Sequence, residues 1–130
     1  MKGSIVIAAL AAAFAVPAGA ARSGPDAQLA NLLKGRVAQQ PVRCITVSQN
    51  ETPRIISGRA IVWRVGQRLY VNRLRARAET LNDDDILITE IYGGQLCRND
   101  RVRPLNRGST IPRAALLLSD FTPYVRAGVK

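Results

Sequence analysis

Residues 60–72 read Ala60-Ile61-Val62-Trp63-Arg64-Val65-Gly66-Gln67-Arg68-Leu69-Tyr70-Val71-Asn72. Two runs rich in β-branched and aromatic residues flank Gly66-Gln67, and such runs favour extended backbone. Glycine at the first of two loop positions suits a type II′ turn, whose twist matches the flanking strands. In that register Trp63 faces Tyr70 and Val62 faces Val71, and cross-strand pairs of this kind stabilise a hairpin. Apolar residues fall on both faces, so the stretch leaves open which face meets the core.

Short strands continue the pattern in both directions. Upstream, Cys44-Ile45-Thr46-Val47 reads as a strand, Gln49 to Pro53 as a loop, and Ile55-Ile56 as an apolar piece before Gly58. Downstream, Arg73 to Asp85 breaks the pattern, with room for one helical turn between Ala76 and Leu81. Asp85 to Tyr92 then carries Ile86, Leu87, Ile88 and Ile91, and Gly93-Gly94 predicts a second hairpin leading into Gln95 to Arg98. Asn99-Asp100 is a turn signal. Arg101 to Leu105 is a short strand in which Pro104 favours an edge or an end, because proline has no N–H to donate. Ala114 to Leu118 is strand-like, and Asp120 to Tyr124 closes the ordered part. Before all of these, Leu29, Leu32 and Leu33 recur at helical spacing between Asp26 and Lys34, with Gly35 as a stop. The expected fold is mainly β: a small antiparallel curved sheet or barrel with one short N-terminal helix.

The chain has 130 residues, which is room for one domain. Its first twenty residues read as a secretory signal: Lys2, then an apolar run from Ile5 to Val16, then Pro17 and the small-residue pattern Ala18-Gly19-Ala20. The run is shorter than the ~20 apolar residues of a transmembrane helix, so no membrane anchor is expected. Residues 21–130 would form a single small β domain in the periplasm or outside the cell. In an oxidising compartment Cys44 and Cys97 are expected to form a disulfide.

There is no histidine, which removes Ser-His-Asp and Cys-His nucleophile pairs and His-ligated zinc. Two cysteines cannot make a four-thiolate site. The run Asp83-Asp84-Asp85 lacks the alternating oxygens, turn glycine and later glutamate of a calcium loop, and reads as a solvated turn that offsets nearby arginines. Asn50-Glu51-Thr52 fits the N-glycosylation pattern and marks a polar loop. No cofactor, metal or catalytic residue is assigned.

The insistent feature is charge. The formal net charge is +10, from 19 Lys and Arg, 16 of them Arg, against 9 Asp and Glu. Removing Lys2 with the leader would leave +9. Arg73, Arg75 and Arg77 alternate, so an extended chain would point all three to one side. Arg101 and Arg103 repeat the spacing. Such rows can hold phosphate, sulfate or carboxylate groups. Nucleic acid is a poor fit for an exported chain with few aromatic residues for stacking.

Between about Gly35 and Tyr124 the chain resembles a family of small, uncharacterised exported proteins of alphaproteobacteria. The residues that carry the likeness are Gly35-Arg36-Val37, Arg54-Ile55-Ile56 with Ala60-Ile61-Val62, Leu69 to Arg73, Gln95-Leu96-Cys97 with Asp100, and Asp120 to Tyr124. The resemblance implies export and a compact domain, and offers no established activity, cofactor or catalytic residue to carry over. The function expected from the sequence is therefore a non-catalytic binding or structural role in the cell envelope. Its partners would be anionic envelope components, such as lipid headgroups or lipopolysaccharide phosphates, or an acidic protein. The alternatives are a small hydrolase using two carboxylates, or an inhibitor of an envelope enzyme.

Overall fold

A computed structural model describes residues 3, 8–15, 24–48 and 51–128. Over these residues the protein is mainly β, with one α-helix and open antiparallel sheets. Helix α1 spans Pro25–Leu32. Ten strands follow: β1 Arg36–Ala38, β2 Cys44–Thr46, β3 Arg54–Ile56, β4 Ala60–Val65, β5 Arg68–Asn72, β6 Ile86–Thr89, β7 Gln95–Cys97, β8 Arg101–Leu105, β9 Leu116–Leu117 and β10 Thr122–Arg126. A 3-10 turn lies at Ala78–Thr80. The signal-like motif Ala18-Gly19-Ala20 and the acceptor Asn50 lie outside the described residues. Residues 8–15 form neither helix nor strand and are exposed.

The hairpin takes the expected register, with Trp63 opposite Tyr70 and Val62 opposite Val71. Gly66 has φ of 60°, which a type II′ turn requires at its first loop position. Around this hairpin a five-stranded sheet forms in the order β1-β10-β5-β4-β3. Both faces are covered at the start of β4, which explains why Ala60-Ile61-Val62-Trp63 is apolar and buried without alternation, up to the exposed Arg64. On one face Ile56, Ala60, Val62, Leu69 and Val71 pack under Leu29 of α1. On the other, Ile55, Ile61 and Trp63 meet Ile45, Leu96, Val102, Leu116, Leu118 and Phe121 from a flanking layer. Trp63 and Phe121 pack edge to face at 5.6 Å.

The flanking layer is two small sheets, β2-β7 and β6-β8-β9. Its pairing corrects the sequence reading. Gly93-Gly94 does turn the chain, and Tyr92 bridges Gln95. The strands on either side then separate: β7 pairs with β2, and β6 pairs with β8. The Cys44–Cys97 disulfide is present, with Cα atoms 4.0 Å apart. It does not tie two ends of one sheet together. It joins directly opposed residues of β2 and β7.

Pro104 lies in the middle strand of its sheet rather than at an edge. The neighbour β9 reaches only Arg101 and Val102, and the Arg113 N–H donates to Pro104 O at 2.8 Å. A strand residue's N–H and C=O point to the same side, so the missing donor falls where no strand pairs. The C-terminal segment is a further correction. It does not end at Tyr124 but runs on as β10, between β1 and β5 inside the main sheet.

Buried polar groups fasten the flanking layer. Asn72 is fully buried; its Oδ1 accepts from the N–H groups of Leu74 and Ser119, and its Nδ2 donates to Ser119 O at 2.8 Å. Asp85 is buried too, and Arg113 donates to both of its oxygens. Arg113 also donates to Thr80 O at 2.9 Å, holding the 3-10 turn to the same anchor. Asp83-Asp84-Asp85 is therefore not a uniformly solvated turn. Its third carboxylate is a buried cross-link.

Candidate anion-binding surface

The row Arg73, Arg75 and Arg77 does not form. Strand β5 ends at Asn72, and Leu74 and Arg77 take left-handed φ of 62° and 63°. Each kink breaks the period-two alternation on which a row depends. Leu74 is driven into the core, while the three arginines remain exposed. Arg75 Nη1 donates to Asn99 Oδ1 at 2.6 Å, and the Arg77 C=O accepts from the Thr80 N–H and hydroxyl. The aspartates of 83–85 do not pair with any of the three.

Arg101 and Arg103 do share the outer face of β8, both exposed, beside Ile88 and Glu90. The hollow between them is only about 40 Å³, close to the room one water takes.

A different set of arginines comes together on the main sheet. Strand register makes Arg36 and Arg126 direct neighbours across β1 and β10. Arg64 pairs with Leu69, and Leu69 with Tyr124, two residues before Arg126. Side chains two apart in a strand share a face, so Arg36, Arg64 and Arg126 all project on the face that carries α1. Arg64 also shares a hollow of about 220 Å³ with Arg54, Leu32 and Leu69. Arg36 Nη1 donates to Gln67 O at 2.8 Å and to Tyr124 O at 3.4 Å, which seats its guanidinium over the hairpin turn. Partial burial first, and then the positive charges of Arg126 and Arg64, hold the Arg36 guanidinium below its ordinary range. None of the three makes an ion pair among the described residues. Sequence reading missed this group because its members are 28 and 62 residues apart, and only the pairing of the first strand with the last unites them.

A cleft of about 890 Å³ lies beside the edge strand β3 and is lined by Arg54, Arg107, Asn31, Asp83 and Asp85 among others. Two carboxyl-bearing residues line it, Asp83 and Asp85. A paired-carboxylate hydrolase needs both to face substrate. Both oxygens of Asp85 already accept bonds from Arg113, and Oδ2 also accepts from the Asn82 N–H at 2.9 Å. The cleft therefore presents one free carboxylate, that of Asp83. Among the described residues no cluster of His, Cys, Asp or Glu could hold a metal ion, and no helix is long and apolar enough to cross a membrane. No protein-family model matches the chain, and no curated protein or solved structure matches it either.

Proposed function

We propose that the protein is exported and acts without catalysis, as a binding component of the cell envelope whose positive surface holds anionic partners. The observation that carries this reading is uncompensated charge. Nineteen cationic residues face nine acidic ones. Among the described residues only three ion pairs form, Asp26–Arg59, Asp120–Arg98 and Asp85–Arg113. The other arginines among the described residues make no ion pair, and a cationic surface raises both the local concentration and the encounter rate of anionic partners.

The disulfide supports an oxidising compartment. The basic, apolar and small-residue order of residues 1–20 supports export by the same route. The likeness to small exported alphaproteobacterial proteins agrees with both. Anionic lipid headgroups and lipopolysaccharide phosphates are the candidate partners in an envelope, since basic residues near an anionic surface are attracted to it.

Two measurements test the reading. N-terminal sequencing of protein from a periplasmic fraction should start at Ala21. A full-length chain found in the cytoplasm would contradict export. Binding of the purified domain to envelope membranes should fall steeply as salt approaches physiological strength, where exposed charges are screened within ~8 Å. Binding indifferent to salt would contradict a charge-driven role, and binding to an acidic protein in place of membranes would replace the lipid partner.

A further inference from the structure

We propose that Arg36, Arg64 and Arg126 form one binding site for phosphate groups, on the open end of the helix-bearing face of the sheet. The inference rests on the anion-binding role above and assigns it one place and one chemistry. Directly opposed like charges destabilise a sheet, and Arg36 and Arg126 are directly opposed. No carboxylate pairs with any of the three among the described residues. The negative end of the α1 dipole lies four residues before Arg36 in the chain. That end carries only about half an elementary negative charge, against three positive ones. A bound anion supplies what the fold leaves out.

Phosphate is the anion that the geometry suits. Guanidinium forks meet two phosphate oxygens at once, which a lysine ammonium cannot do. Strands β1 and β10 lie ~4.8 Å apart, so Arg36 and Arg126 can grip a single phosphate between them. Arg64 stands two strands across and two residues along from Arg126, about 12 Å away by strand spacing and rise, and meets a second phosphate. Arg36 is held in place by backbone carbonyls before any ligand arrives, which lowers the ordering cost of binding. Two sources offer phosphates this close together: a soluble diphosphate and a lipid surface.

The test compares three full-length mature proteins: the wild type, R36Q/R64Q/R126Q and R73Q/R75Q/R77Q. The two variants lose the same formal charge. Inorganic pyrophosphate is titrated by calorimetry, and vesicles of phosphatidylglycerol with phosphatidylcholine are tested by co-sedimentation, with pure phosphatidylcholine as the blank. We expect at least a tenfold loss of affinity for one or both probes in R36Q/R64Q/R126Q, and less than a twofold change in R73Q/R75Q/R77Q. The probe that shows the loss identifies the source of the phosphate. Equal losses in both variants would overturn the site and leave the general anion-binding role standing. A wild type bound by neither probe would also overturn the site, while the broader role is judged separately by salt-dependent envelope binding. If R36Q/R64Q/R126Q fails to fold, R64E, at an exposed position, carries the test. A loss of about fivefold or more supports the site, and unchanged binding overturns it.

Discussion

The two faces of the five-stranded sheet are covered in different ways. The inner face is closed by a flanking layer whose strands are two to five residues long. Each sends one or two side chains inward, so the layer depends on specific fasteners: the Cys44–Cys97 bond, the Asn72–Ser119 clasp and the Asp85–Arg113 pair. The outer face is covered by one helix of eight residues, about 12 Å long, over strands that span about 19 Å. Its far end stays open and carries three unpaired arginines. Stability is concentrated on the closed face. Unspent charge, and with it the candidate function, lies on the open one.

Breaking the closed face should give the largest effects. The disulfide encloses a loop of 53 residues' separation, for which the loop-entropy model gives about 4 kcal/mol. Cys44→Ser and Cys97→Ser should each lose that much in urea denaturation, because both remove the same bond. Hydrogen exchange should rise first at the amides of β2 and β7 and last at those of β4 and β5. Uniform exchange across both sheets would show that the layers do not differ as described.

The next effect comes from the buried ion pair. The Asp85 side chain is 1% exposed, so Arg113→Met would strand a buried carboxylate at a cost of about 3 kcal/mol. The double variant D85L/R113M should be more stable than R113M alone, since it removes the orphaned charge as well. Chemical denaturation of the double-mutant cycle checks this coupling.

On the open face the sign should reverse. Arg126→Gln removes a directly opposed like charge and should raise stability slightly, by about 0.3 kcal/mol at low salt. The gain should vanish in high salt, where thermal melts of wild type and variant should coincide.

The smallest effect belongs to the tether of α1. The Arg59 guanidinium, by hydrogen bond first and by charge second, holds the exposed Asp26 carboxyl below its ordinary value of 3.8. A depressed carboxyl contributes stability above its unfolded value and loses it as pH falls through the lower folded one. Asp26→Asn should therefore match wild type in acid and differ slightly near neutrality. NMR titration of the Asp26 carboxyl checks the direction.

What the sequence revealed follows the same division. The β4–β5 hairpin, helix α1 and the cysteine pair were legible because each is local or is limited to two candidates. Gly66 sets its own turn, and the leucines of α1 keep their own period. The partners of β6 and β7 were not legible, because the turn at Gly93-Gly94 is compatible with a hairpin that tertiary pairing overrides. Asp85 looked like its two neighbours, and only packing distinguishes the one that is buried. The arginines show the limit most plainly. Spacing alone suggested Arg73, Arg75 and Arg77, but the left-handed residues Leu74 and Arg77 undo that row. Arg36, Arg64 and Arg126 have no spacing to read, and register brings them together.

If anions settle on the open face at one place, amide and guanidinium NMR shifts should reveal it while pyrophosphate is added to the isotope-labelled mature protein. Saturable changes are expected at Arg36, Arg64 and Arg126 and at the Gly66-Gln67 turn, with residues 73–77 and 101–103 unmoved. Changes centred on either of those segments, or spread evenly over all the exposed arginines, would contradict it.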